Sequence, residues 1–149
     1  MKYDYCIGLD LGTHTGISIY EASSSTLVCC QTVKIHVALK MVEECKQANP
    51  KLLVRFENMK SWVPFGGRTK ATDSRLAGAG SIKRDMAIWE DYLADEGIEY
   101  QSVSLTAVKK KVSASYFKQL TGWTGVTNEH SRDAGLLCYR VNMNQKATK

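Results

Sequence analysis

The order in which strand-like and helical patterns follow one another restricts the fold of this chain more than any other feature. Tyr3 to Asp10 is a β-branched and aromatic run that ends at Gly12. Gly16 to Tyr20 and Thr26 to Val33 follow as two more strand-like pieces, joined by the turn Ser23-Ser24-Ser25. Three short strands in succession predict an antiparallel meander. His36 to Ala48 then switches to helical spacing, with Val37, Leu39, Met41, Val42 and Cys45 set among Lys and Glu, and Asn49-Pro50 stops the pattern. Lys51 to Phe56 is an apolar run of the kind that fills an interior parallel strand reached through such a helix, and Glu57 follows at its C-terminal end.

Residues 58–73, with Trp62, Pro64, Phe65, Gly66 and Gly67, have no clear period and are expected to form a mobile loop. Ser74 to Glu96 regains helical spacing. Its first half is small (Ala77, Gly78, Ala79, Gly80), which suits a close approach by another backbone, and its second half carries Met86, Ile88, Trp89, Tyr92 and Leu93. Gly97 ends it. Ile98 to Ser104 reads as a strand, Thr106 to Leu120 as a Lys-rich helix and Glu129 to Asn142 as a final helix. The order βββαβαβαα predicts an α/β domain over residues 1–149, with a five-stranded mixed sheet and helices on both faces.

Composition narrows the class further. With 44% hydrophobic and 23% charged residues, the chain is neither disordered nor fibrous. Its start, Met1-Lys2-Tyr3-Asp4, is unlike a secretory signal and no run of about 18 apolar residues occurs, so a cytoplasmic protein without a membrane span is expected. The five cysteines, Cys6, Cys29, Cys30, Cys45 and Cys138, show neither Cys-x-x-Cys pairs nor zinc spacing and read as reduced, mostly buried small hydrophobes.

The net charge of +5 is unevenly placed. Residues 100–149 hold eight Lys and Arg against Glu129 and Asp133. Between residues 55 and 84, Arg55, Lys60, Arg68, Lys70, Arg75, Lys83 and Arg84 face only Glu57 and Asp73, with Trp62 and Phe65 interleaved. A solvated surface accounts for such runs about as well as a ligand does, but basic residues mixed with aromatics favour a polyanion with bases to stack on, which makes nucleic acid the leading partner.

Three acidic positions stand out. Asp10, in Gly8-Leu9-Asp10-Leu11-Gly12-Thr13-His14-Thr15-Gly16, is a carboxylate delivered by a strand to a tight turn; Gly12 and Gly16 are expected to supply turn geometry and let a phosphate or metal near the backbone. Taken singly, such an Asp is more often a turn or capping residue. Glu57 follows a buried strand directly and needs water, a hydrogen-bond partner or a cation, a Lys salt bridge being the plain alternative. His130 and Asp133 are three residues apart at the start of the last helix and share a face. Gathered at one sheet edge, these groups would place like charges together unless a divalent cation, Mg²⁺ or Mn²⁺, neutralised them. Two ions about 3.5–4 Å apart are the arrangement that cleaves phosphodiesters in line.

These residues resemble the RuvC-type Holliday junction resolvases of the RNase H-like, or retroviral-integrase-like, superfamily. Asp10 of Gly-Leu-Asp-x-Gly-Thr is similar to the family's first-strand acid, Glu57 to its fourth-strand acid, and His130 with Asp133 to the pair on its last helix. Leu76-Ala77-Gly78-Ala79-Gly80 is similar to the start of the family's dimer helix, and Leu105-Thr106-Ala107-Val108-Lys109-Lys110 to its segment of DNA-contacting lysines. The sequence departs at Lys60, where the family often carries an aromatic that Trp62 or Phe65 would replace, and beyond the Lys-rich segment, where Lys118 stands nearest the family's second lysine. The short, divergent form looks like a bacteriophage version.

The resemblance implies a metal-dependent endonuclease that resolves four-way and related branched DNA by paired symmetric nicks, working as a homodimer through the helix beginning near Ser74. Asp10 would bridge two Mg²⁺ or Mn²⁺ ions, Glu57 and Asp133 would each hold one, and His130 would ligate or orient the water. Lys60, Trp62, Phe65, Arg68, Lys70, Arg75, Lys109, Lys110, Lys111 and Lys118 would contact DNA, largely at phosphates. Three rivals remain open: an actin- or sugar-kinase-like ATPase, whose first phosphate loop Asp10-Leu11-Gly12-Thr13 also resembles; an RNase H-like nuclease acting on structured RNA; and a junction-binding module without catalysis.

Overall fold

The computed structural model describes residues 1–60, 70–104 and 111–144, the side chains of residues 70–76 and 79 excepted. Five strands, β1 (Tyr5–Asp10), β2 (His14–Glu21), β3 (Thr26–Lys34), β4 (Leu52–Glu57) and β5 (Glu99–Val103), form one sheet in the order β3-β2-β1-β4-β5. The first three make the expected antiparallel meander, and β4 and β5 add in parallel beside β1. The helices are α1 (Ile35–Ala48), α2 (Lys70–Asp95), α3 (Ala114–Thr121) and α4 (Glu129–Cys138).

Strand alternation assigns the two faces. Ile7 and Leu9 of β1 and Leu52, Val54 and Phe56 of β4 point to one side, where Ala38 and Val42 of α1 and Met86, Trp89 and Leu93 of α2 bury against them. Cys6 and Leu53 point to the other, with Phe117 of α3 and Cys138 of α4. The sheet is thus covered on both faces, as the element order predicts.

Several boundaries differ from expectation, among them the start of β2 at His14 rather than Gly16. Helix α2 begins at Lys70, so residues 70–73 are helical rather than part of the loop, and residues 61–69 lie outside the described residues. Helix α3 begins at Ala114, not Thr106: the Ser113 hydroxyl accepts from the Tyr116 N–H at 3.2 Å and caps the helix there, while residues 105–110 lie outside the described residues. Helix α4 stops at Cys138 rather than Asn142, because Tyr139 is extended and Arg140 is left-handed, with φ of 52°. Strand β1 starts at Tyr5; the Tyr3 backbone instead donates to the Met143 carbonyl. Gly97, at φ of 63°, closes α2 as predicted.

Candidate active site at the sheet edge

Asp10 and Glu57 are the last residues of β1 and β4. Leu9 pairs with Phe56, so the next step of the same register sets Asp10 beside Glu57 on strands that run about 4.8 Å apart. Leu9 and Phe56 turn into the α1/α2 core, and alternation therefore turns both acids to the opposite face, under α4.

Helix α4 reaches them because two glycines remove the side chains that would hold it away. A Cβ on Gly8 would lie 1.9 Å from the Ala134 carbonyl oxygen, and one on Gly16 would lie 2.0 Å from the His130 carbonyl oxygen. The helix backbone rests directly on β1 and β2. Gly16 lies in a strand, as its run predicts, and pairs with Asp10; the expectation that it supplies a turn or room for a phosphate is corrected, because the space beside it is filled by the helix. Gly12 is not among the residues with positive φ, so its place does not demand glycine on that ground.

Hydrogen bonds then fix the helix in register. Its N-terminus is closed by a capping box between Asn128 and Ser131, and Thr32 of β3 donates to the Asn128 side-chain oxygen at 2.7 Å. The Ser18 hydroxyl donates to the Ser131 carbonyl at 3.1 Å. Arg132 donates to the Val112 carbonyl and the Thr127 hydroxyl. At the far end Arg55 of β4 donates to the Leu137 carbonyl at 2.5 Å and to the Gln101 side chain at 3.0 Å, a cationic cap on a helix C-terminus. Arg55 and Arg132 are therefore not free for a polyanion, contrary to the reading of the basic runs. The role of Gly8 and Arg55 was not anticipated, although an isolated Gly within a strand pattern is a recognisable sign of close backbone approach.

The result is one cluster. His130 Nδ1 lies 2.7 Å from Asp10 Oδ2, with the two side chains 55% and 22% exposed. Burial, then the charges of Asp10 and Asp133, raise the Glu57 carboxyl above its usual range. Burial, then Asp10, do the same to Asp133, with Lys111, His130 and Arg132 pulling the other way. Three carboxylates thus sense one another beside an imidazole, and a cleft lined by Asp10, Leu11, Glu57, Met59 and Ile82 opens onto them. Among the described residues no three His, Cys, Asp or Glu side chains stand together at ion-binding distance. Asp10 is turned to His130 instead. The donor set itself, oxygen-rich with one imidazole and with negative charge that the nearby cations only partly offset, is chemically suited to Mg²⁺ or Mn²⁺, which Asp10, Glu57, Asp133 and His130 could hold.

In overall fold the chain resembles the structure of T. thermophilus RuvC in complex with Holliday junction substrate, with a TM-score of 0.57, 15% identity, and coverage of 91% of this chain and 90% of that one. The chain has a RuvC-like fold. No protein-family model matches it, and no curated protein matches it in sequence. On this RuvC-like frame the residues expected to contact DNA divide into three groups. Lys60 pairs with Glu90 at 3.1 Å, Lys111 pairs with Glu129, and Lys118 is exposed on α3. Lys70 and Arg75 lie in α2, their side chains outside the described residues, as are Trp62, Phe65, Arg68, Lys109 and Lys110 altogether. Lys111 also eases the charge on both Glu57 and Asp133, which sets it at the margin of the acidic cluster. The five cysteines are free, with Cys6, Cys30 and Cys138 buried, as expected. Among the described residues no helix is long and apolar enough to cross a membrane.

Proposed function

We propose that the chain is a metal-dependent endonuclease selective for branched DNA, four-way junctions foremost, and that it makes paired symmetric nicks as a homodimer in DNA recombination, repair or phage DNA processing. The observation that carries this reading is the gathering of Asp10, Glu57, Asp133 and His130 at one end of a RuvC-like sheet, with their carboxylates electrostatically coupled. That a neighbour in fold is described as bound to Holliday junction substrate supports the choice of substrate.

Divalent ions, when held, would supply charge neutralisation for the attacking water and the leaving oxygen. Asp10, central to the cluster, is the residue placed to serve both sides of the site, and Glu57 and Asp133 flank it. With Nδ1 engaged by Asp10, His130 has Nε2 left to take a proton from a water or orient it. Lys111, paired with Glu129, would exchange that partner for a phosphate oxygen, and Lys118 would add a second backbone contact that carries no sequence information. Ala77, Gly78 and Gly80 are exposed, and a Cβ on either glycine would meet nothing within 4 Å among the described residues, which supports pairing of α2 with a second copy there.

The test incubates the protein with labelled four-way, Y-shaped and linear DNA and with structured RNA, in Mg²⁺ and in Mn²⁺. Paired nicks confined to the four-way form are expected, and Asp10→Asn is expected to lower their rate by about 10²–10³-fold with junction binding retained, a loss of the size that removing a principal electrostatic group produces. Cleavage of RNA alone, nicking undiminished in Asp10→Asn, or no nicking in either metal would each overturn it.

A further inference from the structure

On the face of the sheet away from the acidic cluster, β3 and α1 carry three sulfur-bearing side chains, Cys29, Met41 and Cys45, where the two elements pack together. The register of β2 against β3 slips between Ile19 and Tyr20, leaving Val28 without a partner. This bulge turns Cys29, paired with Ile19, toward α1, while Leu27 and Cys30 on either side bury in the opposite core. Gln31, two residues on, shares the face of Cys29. Met41 and Cys45, one turn apart on α1, share a face of the helix. The Gln31 side-chain nitrogen joins the two elements: it donates to Cys29 Sγ at 3.6 Å and to Met41 Sδ at 3.6 Å, so both sulfurs turn to one exposed amide. Burial raises the Cys29 thiol above its usual range, the Gln31 contact opposes the shift, and the neighbouring Cys30 and then Cys45 add to it. Cys29, Met41 and Cys45 are all half-buried, within reach of solvent, and Gln31 is exposed.

We propose that Cys29, Met41 and Cys45 form a binding site for a soft monovalent cation, Cu(I), whose occupation displaces the Gln31 amide and ties α1 to the edge strand β3. Two thiols and a thioether are the ligands that select such an ion over Mg²⁺ or Mn²⁺, which the oxygen cluster across the sheet would take. A sulfur is a weak hydrogen-bond acceptor, so losing the two Gln31 contacts costs little. On binding, Cys29 and Cys45 each release the S–H proton to solvent and donate through the thiolate, and Met41 donates a thioether lone pair. No electron is transferred and copper remains Cu(I). The other cysteines are differently engaged: Cys30 donates to the Ser131 carbonyl, Cys138 to the Ser18 carbonyl, and Cys6 is fully buried.

The experiment titrates the protein anaerobically with Cu(I) held by a coloured chelator, with ascorbate present. One equivalent is expected to pass to the protein, with affinity falling more than about 100-fold in Cys29→Ser and Cys45→Ser and by about 10-fold or more in Met41→Leu, at or above the loss seen when a mere supporting partner of a metal site is removed. Alkylation mapping of the unmutated protein gives a readout independent of variant folding: Cu(I) should shield Cys29 and Cys45 together. Asp10→Asn should bind Cu(I) unchanged, which keeps the outcome separate from that of the nuclease reading. Cu(I) retained by the Cys29→Ser/Cys45→Ser double variant, alkylation of both thiols undiminished by Cu(I), or failure of the unmutated protein to take copper from the chelator would overturn the proposal.

Discussion

The two faces of the sheet are held by different physics. Under α1 and α2 the contact is made by bulk: Trp89, Phe56, Leu93, Ile7 and Val54 fill the space with buried side chains, and the helices stand off by the width of those chains. Under α4 the contact is made by absence. Gly8 and Gly16 let the helix backbone touch the strands, and hydrogen bonds from Ser18, Thr32 and Arg55 add to the packing of Leu137 and Cys138. Bulk tolerates small displacements and mainly stabilises. Backbone contact fixes position to within an atom, which is what bringing His130 and Asp133 to Asp10 requires.

The first way to break this comparison is Trp89→Ala. It is expected to cost about 3–5 kcal/mol, because it leaves a cavity in the bulky core. Urea unfolding should show that loss, while the fraction still folded cuts junctions at an undiminished rate; a slowed rate would mean the two faces are not separable. The converse change is Gly16→Val. Overpacking of this kind costs about 1–3 kcal/mol, but α4 must lift from His130 onward, so cleavage by the folded protein should fall far more than stability does. Normal activity in a stably folded Gly16→Val would show that the close approach is incidental.

Removing the cap by Asn128→Ala is expected to cost about 1 kcal/mol, since it opens the capping box of α4 and frees the Thr32 contact. Thermal melting checks the cost, and the ratio of cleavage to stability places the cap between the two previous variants. The smallest effect is electrostatic. Glu57 and Asp133 have folded-state pKa values raised above the ordinary carboxylate range, so the folded state holds protons that the unfolded chain has already given up. Without divalent ions, stability should decline as the pH rises from the ordinary carboxylate values through the raised ones, and stay lower above them. Asp10→Asn should flatten that decline, because Asp10 contributes to both shifts, and Mg²⁺ should restore the lost stability at neutral pH. A melting temperature that rises across the same window would reverse the sign and refute the coupling.

Much of the fold was legible from the chain, for reasons that particular segments show. The meander, the crossover helix and the two added strands follow from period-2 and 3.6 patterns that are local, so Thr26 to Val33 and His36 to Ala48 were placed within a residue or two. Boundaries set by a single hydrogen bond were not. The start of α3 depends on the Ser113 hydroxyl meeting one backbone N–H, and Lys109 to Lys111 gave no sign of it. The basic runs misled where charge was spent internally: Arg55 reads as a surface cation in a list of residues, yet it closes the far end of α4.

By itself the sequence determined which acidic, basic and imidazole groups stand at the ends of which elements, because residue type and hydrophobic period are properties of neighbours along the chain. Only the tertiary structure decided that Asp10 meets His130, that Lys111 lies at the margin of the carboxylates, and that Gly8 and Gly16 are there for a helix more than a hundred residues away. Contact between distant segments depends on packing depth and register, and these exist only once the faces have closed.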